Sequence, residues 1–393
     1  MNTPFLFTSE SVTAGHPDKL CDQISDAIVD AYLTGDPGSR IIAEAAVSGG
    51  VLFLSARANS STNVDLTGVA REIVAEAGYR EGEFNADDCT VMLSQYALPN
   101  ERHPRIDVRD LENGDVDDVV ASQPATVFGY ACDETPSLMP LPISLAHLLA
   151  RALDSAVCAG QLESLGRDAK VQVGVEYADR APRRIHSITF LTAQRTAEQP
   201  TPAQLRELLT DKVLVCLHDQ ALKQDDDTQL YINPEGVLIG GGPVVHAGLT
   251  GRKNAIDTYG EYSRHSGAAL SGKDPLRIDR SGAYAARHAA KQVVAARLAR
   301  HCEVQISYTV GRASPASVRV HTYGTGVVDD AEISRRLSEV LDFRPAAIAK
   351  RFDLQRLPLH RPGFYRALAV YGHMGRIDLD APWERVDVAD SIA

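Results

Sequence analysis

The sequence predicts an α+β protein of three similar lobes, each a sheet covered on one face by helices. Three observations point there. A theme of paired strands followed by a helix recurs about three times along the chain. At 393 residues the chain exceeds the size at which one core stops growing, so two or three domains are expected. No GxGxxG follows a strand and no GxxxxGK[ST] occurs, which disfavours a doubly wound nucleotide-binding sheet.

The elements follow in order. Leu20, Ile24, Ala27, Ile28, Ala31 and Tyr32 keep helical spacing, so a helix begins near Pro17, a favoured first-turn residue. His16 and Asp18 then lie at its positive end, Asp18 being either an ordinary helix-start acid or a ligand. Runs 41–48 and 51–58 flank Gly49-Gly50 and predict a hairpin. Glu44, inside the first run, is either a surface-facing strand residue or a cation ligand. A helix near 65–77 and a strand at 89–98 complete the first lobe.

Residues 99–125 hold three prolines, seven acids and little periodicity, and read as a mobile lid. From Thr126 the pattern resumes with a helix at 142–159, strands at 171–178 and 184–193, a helix at 202–218 and a strand-turn-strand over QLYINPEGVLIGGGP. An alanine-rich helix is expected at 281–299, strands at 302–310 and 317–324, and a helix at 330–341. The expected division is 1–98, the lid 99–125, 126–231 and 232–393.

Composition narrows the function. Hydrophobic residues at 44% and charged residues at 23% are globular values, and a net charge of −12 argues against a nucleic-acid binder. Six cysteines without a CxxC pair suggest a reduced compartment. With no secretory signal and no long uninterrupted apolar run, a cytoplasmic protein without a membrane span is expected.

Against that acidic background, residues 248–281 concentrate positive charge. Arg252, Lys253, Lys273 and Arg277 are expected to converge there, beside Asp257, Asp274 and Asp279 and among glycines 248, 251, 260, 267 and 272. Dense glycine lets backbone pass close to a ligand, and cations with acids suit a polyphosphate held with a hard metal. A solvated, salt-bridged loop is the alternative.

Several whole words then match one family: FTSESVTAGHPDKLCDQISDAIVDA, FGYACDET, MPLPISLAH, RDAK, INPEG, GLTGRKNAIDTYG, SGKDP, DRSGAYAAR and YGHMGR. Nearly end to end and in order, the chain resembles the methionine adenosyltransferases, or S-adenosylmethionine synthases. That resemblance implies three domains about a pseudo-threefold axis, and active sites between the subunits of a dimer that commonly pairs into a tetramer. It implies ATP and methionine as substrates, with tripolyphosphate released and hydrolysed to pyrophosphate and phosphate. Mg²⁺, two ions per site, and K⁺ are the implied cofactors. By the same resemblance His16 sits beside O5′, and Asp18 and Asp279 hold Mg²⁺, with Glu10 near a second ion. Lys170, Arg252, Lys253 and Lys273 grip the phosphates, Glu44 and the backbone of Ala269 hold K⁺, and Asp257 belongs to the substrate-binding stretch. Arg277 stands where the family has lysine near the methionine carboxylate.

The amino-acid and adenine pockets depart from the pattern. Arg57 falls on a glutamate that meets the methionine ammonium, Pro99 on a glutamine, and His246 on an aspartate. Val237-Leu238 replaces an Arg-Phe pair whose ring stacks on adenine. The GAGDQG word is missing, and either Gln123 or Asp117 occupies its aspartate position. A charge reversal beside an ammonium is repulsive. Three readings are therefore expected to compete: the ordinary synthase, a relative using another acceptor or nucleotide, and a nucleotide-binding regulatory subunit.

Overall fold

The computed structural model describes residues 4–112, 115–198 and 200–393. The first segment contains β1 (Phe5–Val12), α1 (Pro17–Gly35), β2 (Arg40–Ser48), β3 (Val51–Asn59), α2 (Leu66–Glu76) and β4 (Thr90–Ala97). The second contains β5 (Ala125–Cys132), α3 (Leu141–Cys158), β6 (Leu165–Ala178), β7 (Ala181–Gln194), α4 (Pro202–Lys212) and β8 (Gln229–Ile232). The last holds β9 (Leu238–Ile239), β10 (Gly248–Leu249), α5 (Asn254–Asp257), α6 (Ile278–Ala295), β11 (His301–Tyr308), β12 (Ser317–His321) and α7 (Asp330–Val340). Four short helices, α8 to α11 (Pro345–Arg351, Leu357–His360, Phe364–Leu368, Ala389–Ile392), follow in a region the sequence left unread.

The architecture is α+β with mostly antiparallel pairing, in three sheets. They run β1-β6-β7-β8 with β9 also on β7, then β10-β2-β3-β4, then β12-β11-β5. One long helix covers each sheet: α3 on the first, α1 on the second, α6 on the third. The sheets exchange strands between segments. β1 pairs with β6, β5 pairs with β11, and β10 pairs with β2, so a lobe in space is not one stretch of sequence.

Two local expectations change. β8 and β9 form no hairpin; both lie parallel to β7, against Ser187–Phe190 and then Ala193–Gln194. The Asn233 side chain bridges the backbone of Thr192 at 2.9 and 3.0 Å, returning the chain to the same edge. The helix expected over 202–218 ends at Lys212 and continues as a 3₁₀ turn at Leu214–Leu217. α3 is long and apolar enough to cross a membrane by length and composition, but its apolar face packs on β6 and β1.

Residues 99–125, apart from residues 113 and 114, which lie outside the described residues, are docked rather than loose. Val108, Val116 and Val119 pack with Leu276, Ala346 and Ala349 in a small core of their own. Gln355 accepts from the Val108 amide at 2.9 Å and donates to the Ile106 carbonyl at 2.7 Å.

The helix α1 explains how the 248–281 stretch is held. Asp18, Asp22, Asp26 and Asp30 recur every four residues, on one face of the helix. Asp18 accepts from the Leu249 amide at 3.0 Å, Asp22 from Gly251 at 2.8 Å and Asp26 from Gly272 at 2.8 Å. Asp30 accepts from Tyr365 and Arg366 at 3.0 and 2.9 Å. Each rung fixes a backbone donor that burial would otherwise leave unsatisfied. The loop is thus stretched along the helix instead of folded over one point.

Candidate active site

His16 caps α1: its Nδ1 accepts from the Asp18 amide at 3.2 Å, and Pro17 supplies the helical first residue without a donor. The turn before it is clamped. The Ala14 amide donates to Asp154 at 3.1 Å, the Ala14 carbonyl accepts from Gln23 at 2.8 Å, and the Thr13 amide donates to Ala169 at 3.0 Å. Burial pushes the His16 imidazole down to about 4, so the ring is neutral at pH 7. With Nδ1 accepting, the proton of a neutral ring sits on Nε2, which is then a donor.

His16 opens onto a cavity of about 500 Å³. Its polar wall is Asp168, Lys170 and His246; its apolar wall is Leu191, Val237, Leu238, Ile239 and Val245. Asp168 and Lys170 project on the same face of β6 because strand residues two apart do so. His246 hydrogen-bonds Asp168 at 2.7 Å, and its ring centre lies 5.1 Å from that of His16. That hydrogen bond raises the His246 imidazole. Burial alone would raise the Asp168 carboxyl, but His246, His16 and the Gly242 amide outweigh it and hold it below its ordinary value.

Asp18, Arg252 and Lys253 stand beside this cavity as one ion group. Lys253 Nζ lies 2.9 Å and Arg252 Nε 3.6 Å from the Asp18 carboxylate. Burial works against the Asp18 charge, yet the Lys253 and Leu249 donors hold its carboxyl low. Lys170 donates to both oxygens of Glu10 at 3.1 Å, across the β1–β6 pair. Val237 and Leu238 line the cavity where an aromatic ring was the expected pattern, as aliphatic cover for a flat ligand face.

The other expected residues form a second group. Lys273 Nζ lies 3.0 Å from Asp279, in the first turn of α6, and Gln123 donates to the same carboxylate. Of the two residues left as alternatives in the sequence, Gln123 lies at Asp279, whereas Asp117 is bonded to Arg344 at 3.0 Å. Lys273 bridges to Ile42 of β2, Ile42 faces Arg57 of β3, and Arg57 faces Tyr96 of β4. Arg57 and Glu44 thus share the outer face of the β2-β3-β4 sheet with Lys273 at its edge. Arg277 is buried 3.6 Å from Asp274, and its Nε and Nη2 have no hydrogen-bond partner.

The four cations do not converge in one chain. Asp18 and Asp26 are eight residues apart on α1, which at 1.5 Å per residue is about 12 Å. Arg252 and Lys253 stand at Asp18, whereas Asp26 pairs with Arg280, next to Asp279. Asp257 is withdrawn from both groups: it is 0% exposed and ion-paired with Lys19 of α1. Ala269 is half-buried, and Gly251 closes on it so tightly that a Cβ there would lie 2.4 Å from its methyl.

Asp168 was not singled out in the sequence, although it lies two residues before Lys170 in the RDAK word. The strand period was the signal that could have found it. Leu191, Ile239 and Val245 carried no comparable signal, because an apolar strand residue facing a cavity looks like a core residue.

Family models for S-adenosylmethionine synthetase match the whole course of the chain: the N-terminal domain over residues 4–97, the central domain over 118–238 and the C-terminal domain over 240–385. The chain belongs to the S-adenosylmethionine synthetase family. A protein of Synechococcus elongatus named S-adenosylmethionine synthase is 44% identical, covering 100% of this chain and 98% of its own. One of Gloeobacter violaceus with the same name is 45% identical, covering 99% and 97%. Arg57, Val237-Leu238 and His246, the positions where the sequence was expected to depart from the family, all lie within matched segments.

Proposed function

We propose that the chain is an S-adenosylmethionine synthase that joins ATP and methionine, acts in the cytoplasm and works as a dimer or a dimer of dimers. The observation that carries this reading is His16. A neutral imidazole with its donor on Nε2 faces the cavity, with Arg252, Lys253 and Lys170 beside it, in a chain matched by the family from end to end.

In the proposed reaction the methionine sulfur uses a lone pair to attack C5′ as the C5′–O5′ bond breaks. The product is a sulfonium, and the whole triphosphate leaves. Negative charge grows on O5′, where His16 donates a hydrogen bond. Fixed cations stabilise such a transition state more than a base could, and Arg252, Lys253, Lys170 and Lys273 supply them. Water then cleaves the tripolyphosphate to pyrophosphate and phosphate. Arg277, with two buried donors unpaired, suits the methionine carboxylate.

The donor set fits hard cations. Asp18 and Asp279 are buried carboxylates already compensated by lysines, and oxygen donors of this type suit Mg²⁺, with Glu10 for a second ion. Bound there, Mg²⁺ would offset the polyphosphate charge. Glu44 and the Ala269 carbonyl would hold K⁺.

The Asp18 group and the Lys273–Asp279 group form separate ion groups within one chain, and a second copy would bring complementary groups together. The outer face of the β2-β3-β4 sheet favours this, since Phe53, Met92 and Tyr96 are 43%, 54% and 67% exposed on it beside Arg57. Incubation with ATP, methionine, Mg²⁺ and K⁺ is expected to give S-adenosylmethionine, pyrophosphate and phosphate. Folded protein that yields none of them would overturn the reading.

A further inference from the structure

We propose that Cys132, Glu134 and His301 form a binding site for a borderline-soft divalent cation of the Zn²⁺ class, outside the catalytic cavity. The fold brings them together. Cys132 ends β5, His301 opens β11 directly opposite it in the antiparallel ladder, and Glu134 follows two residues after Cys132. One ligand atom from each lies within 4.8 Å of the other two.

Two of the three side chains carry a buried atom without a hydrogen-bond partner. Nδ1 of His301 is hydrogen-bonded to the Tyr130 hydroxyl at 2.9 Å, while its Nε2 is buried without a partner. Oε2 of Glu134 accepts from the Tyr177 hydroxyl at 2.8 Å and the Leu141 amide at 2.9 Å, while its Oε1 is buried without a partner. Buried polar atoms left unpaired are rare. In the tautomer whose Nδ1–H donates to the Tyr130 hydroxyl, Nε2 is an acceptor, and it and Oε1 then both offer lone pairs within reach of one buried sulfur. Cys132 is 0% and His301 4% exposed.

The chemistry selects the ion. A thiolate, an imidazole nitrogen and a carboxylate oxygen are the donor types of tetrahedral Zn²⁺, with a fourth position left for water. Mg²⁺ prefers six oxygen ligands and is a poor match. Tyr130 on Nδ1 and the two donors on Oε2 do what outer partners of metal ligands do: they fix the tautomer and the carboxylate rotamer. Binding then breaks the S–H bond, forms a sulfur–metal bond and releases the proton to solvent. Glu134 also lines a cavity of about 480 Å³ between α3 and residues 371–378. A bound ion would tie β5 to β11 and to the turn that leads into α3.

Cobalt is the probe. Full-length protein is stripped with chelator and titrated with Co²⁺ in excess Mg²⁺, which occupies oxygen-rich sites. One Co²⁺ per chain is expected, with a near-ultraviolet thiolate-to-cobalt absorption that Zn²⁺ abolishes. His16, Asp168 and His246 could also gather a cation, but they contain no sulfur and cannot produce that band. Cys132→Ser is expected to lose the band, and Glu134→Gln or His301→Gln to weaken Co²⁺ binding at least tenfold. Cys158→Ser, at an exposed thiol, should keep it. Absence of the band in the wild type, or its survival in Cys132→Ser, overturns the proposal. Should Cys132→Ser not fold, calorimetry of the wild type in buffers of different ionisation enthalpy decides. About one proton released per Zn²⁺ bound is expected, and none released overturns it.

Discussion

The helices α1 and α6 have nearly the same length and place in their lobes but opposite chemistry. Both are almost wholly buried, and each carries an expected metal ligand in its first turn, Asp18 in α1 and Asp279 in α6. Below that turn α1 presents acids and α6 presents cations. Arg287 pairs with Glu384 at 2.8 and 3.0 Å, and Lys291 joins the same carboxylate at 2.9 Å. The two helices meet where Asp26 pairs with Arg280, both side chains 0% exposed. Deep rungs therefore hold the lobes together, while the first rungs are left to meet ligands. Arg252, on the Asp18 rung, is 52% exposed in its side chain.

The deepest rung should be the most costly to break. Asp26→Ala strands Arg280 as an uncompensated buried charge, and a loss of about 3–5 kcal/mol is expected in urea unfolding. A loss no larger than that of Asp18→Ala would end the distinction between deep and first rungs. At the first turn the effect should fall on rate instead. His16→Ala is expected to lower kcat by about 10²–10³ while costing about 1 kcal/mol of stability as a lost cap. Product quantified by chromatography, beside a melting curve, separates the two.

Each helix also rests on a glycine, and this allows a sharper test. A Cβ on Gly129 of β5 would lie 1.9 Å from the Ala286 backbone of α6, and one on Gly248 of β10 would lie 2.2 Å from Pro17 of α1. Both alanine variants are expected to lose about 1–3 kcal/mol by overpacking. Gly248→Ala alone should reduce kcat beyond the effect of lost stability, because it shifts the turn that carries His16. Equal kcat losses in the two would contradict that.

The last test concerns α3, the third long helix, and near neutral pH its effect is small. Burial, reinforced by Arg376, Arg151 and Lys19, depresses His147 from 6.5 to about 3. The unfolded chain then binds a proton that the folded chain refuses between those values. Stability should fall as pH drops from 6.5 toward 3, by at most about 1.4 kcal/mol per pH unit. His147→Gln should flatten that part of the stability–pH curve, and parallel curves would exclude His147 as the source.

Much of the fold was legible because local signals and tertiary context agreed. The Gly49-Gly50 hairpin, the helix starting at Pro17 and the alanine-rich helix near 281 all formed within a few residues of expectation. The packing of the 99–125 stretch was not legible because three spaced valines among many acids carry no period, although they dock it on Leu276 and Ala346. β8 and β9 misled because turn residues between two short apolar runs read alike whether the runs pair with each other or with a third strand.

By itself the sequence determined the family and the α+β class and singled out candidate phosphate and metal residues, since long words and spacing survive without coordinates. Only the tertiary structure decided which of those residues share a site. A ladder of aspartates at every fourth residue of α1 spreads the 248–281 loop along the helix, so Arg252 and Lys253 meet the Asp18 rung while Arg280 meets the Asp26 rung, about 12 Å further along the axis. It also decided that Asp257 is a buried partner of Lys19, that Gln123 meets Asp279, and that Cys132 faces His301. Such pairings depend on strands exchanged between segments distant in sequence, and no local pattern records them.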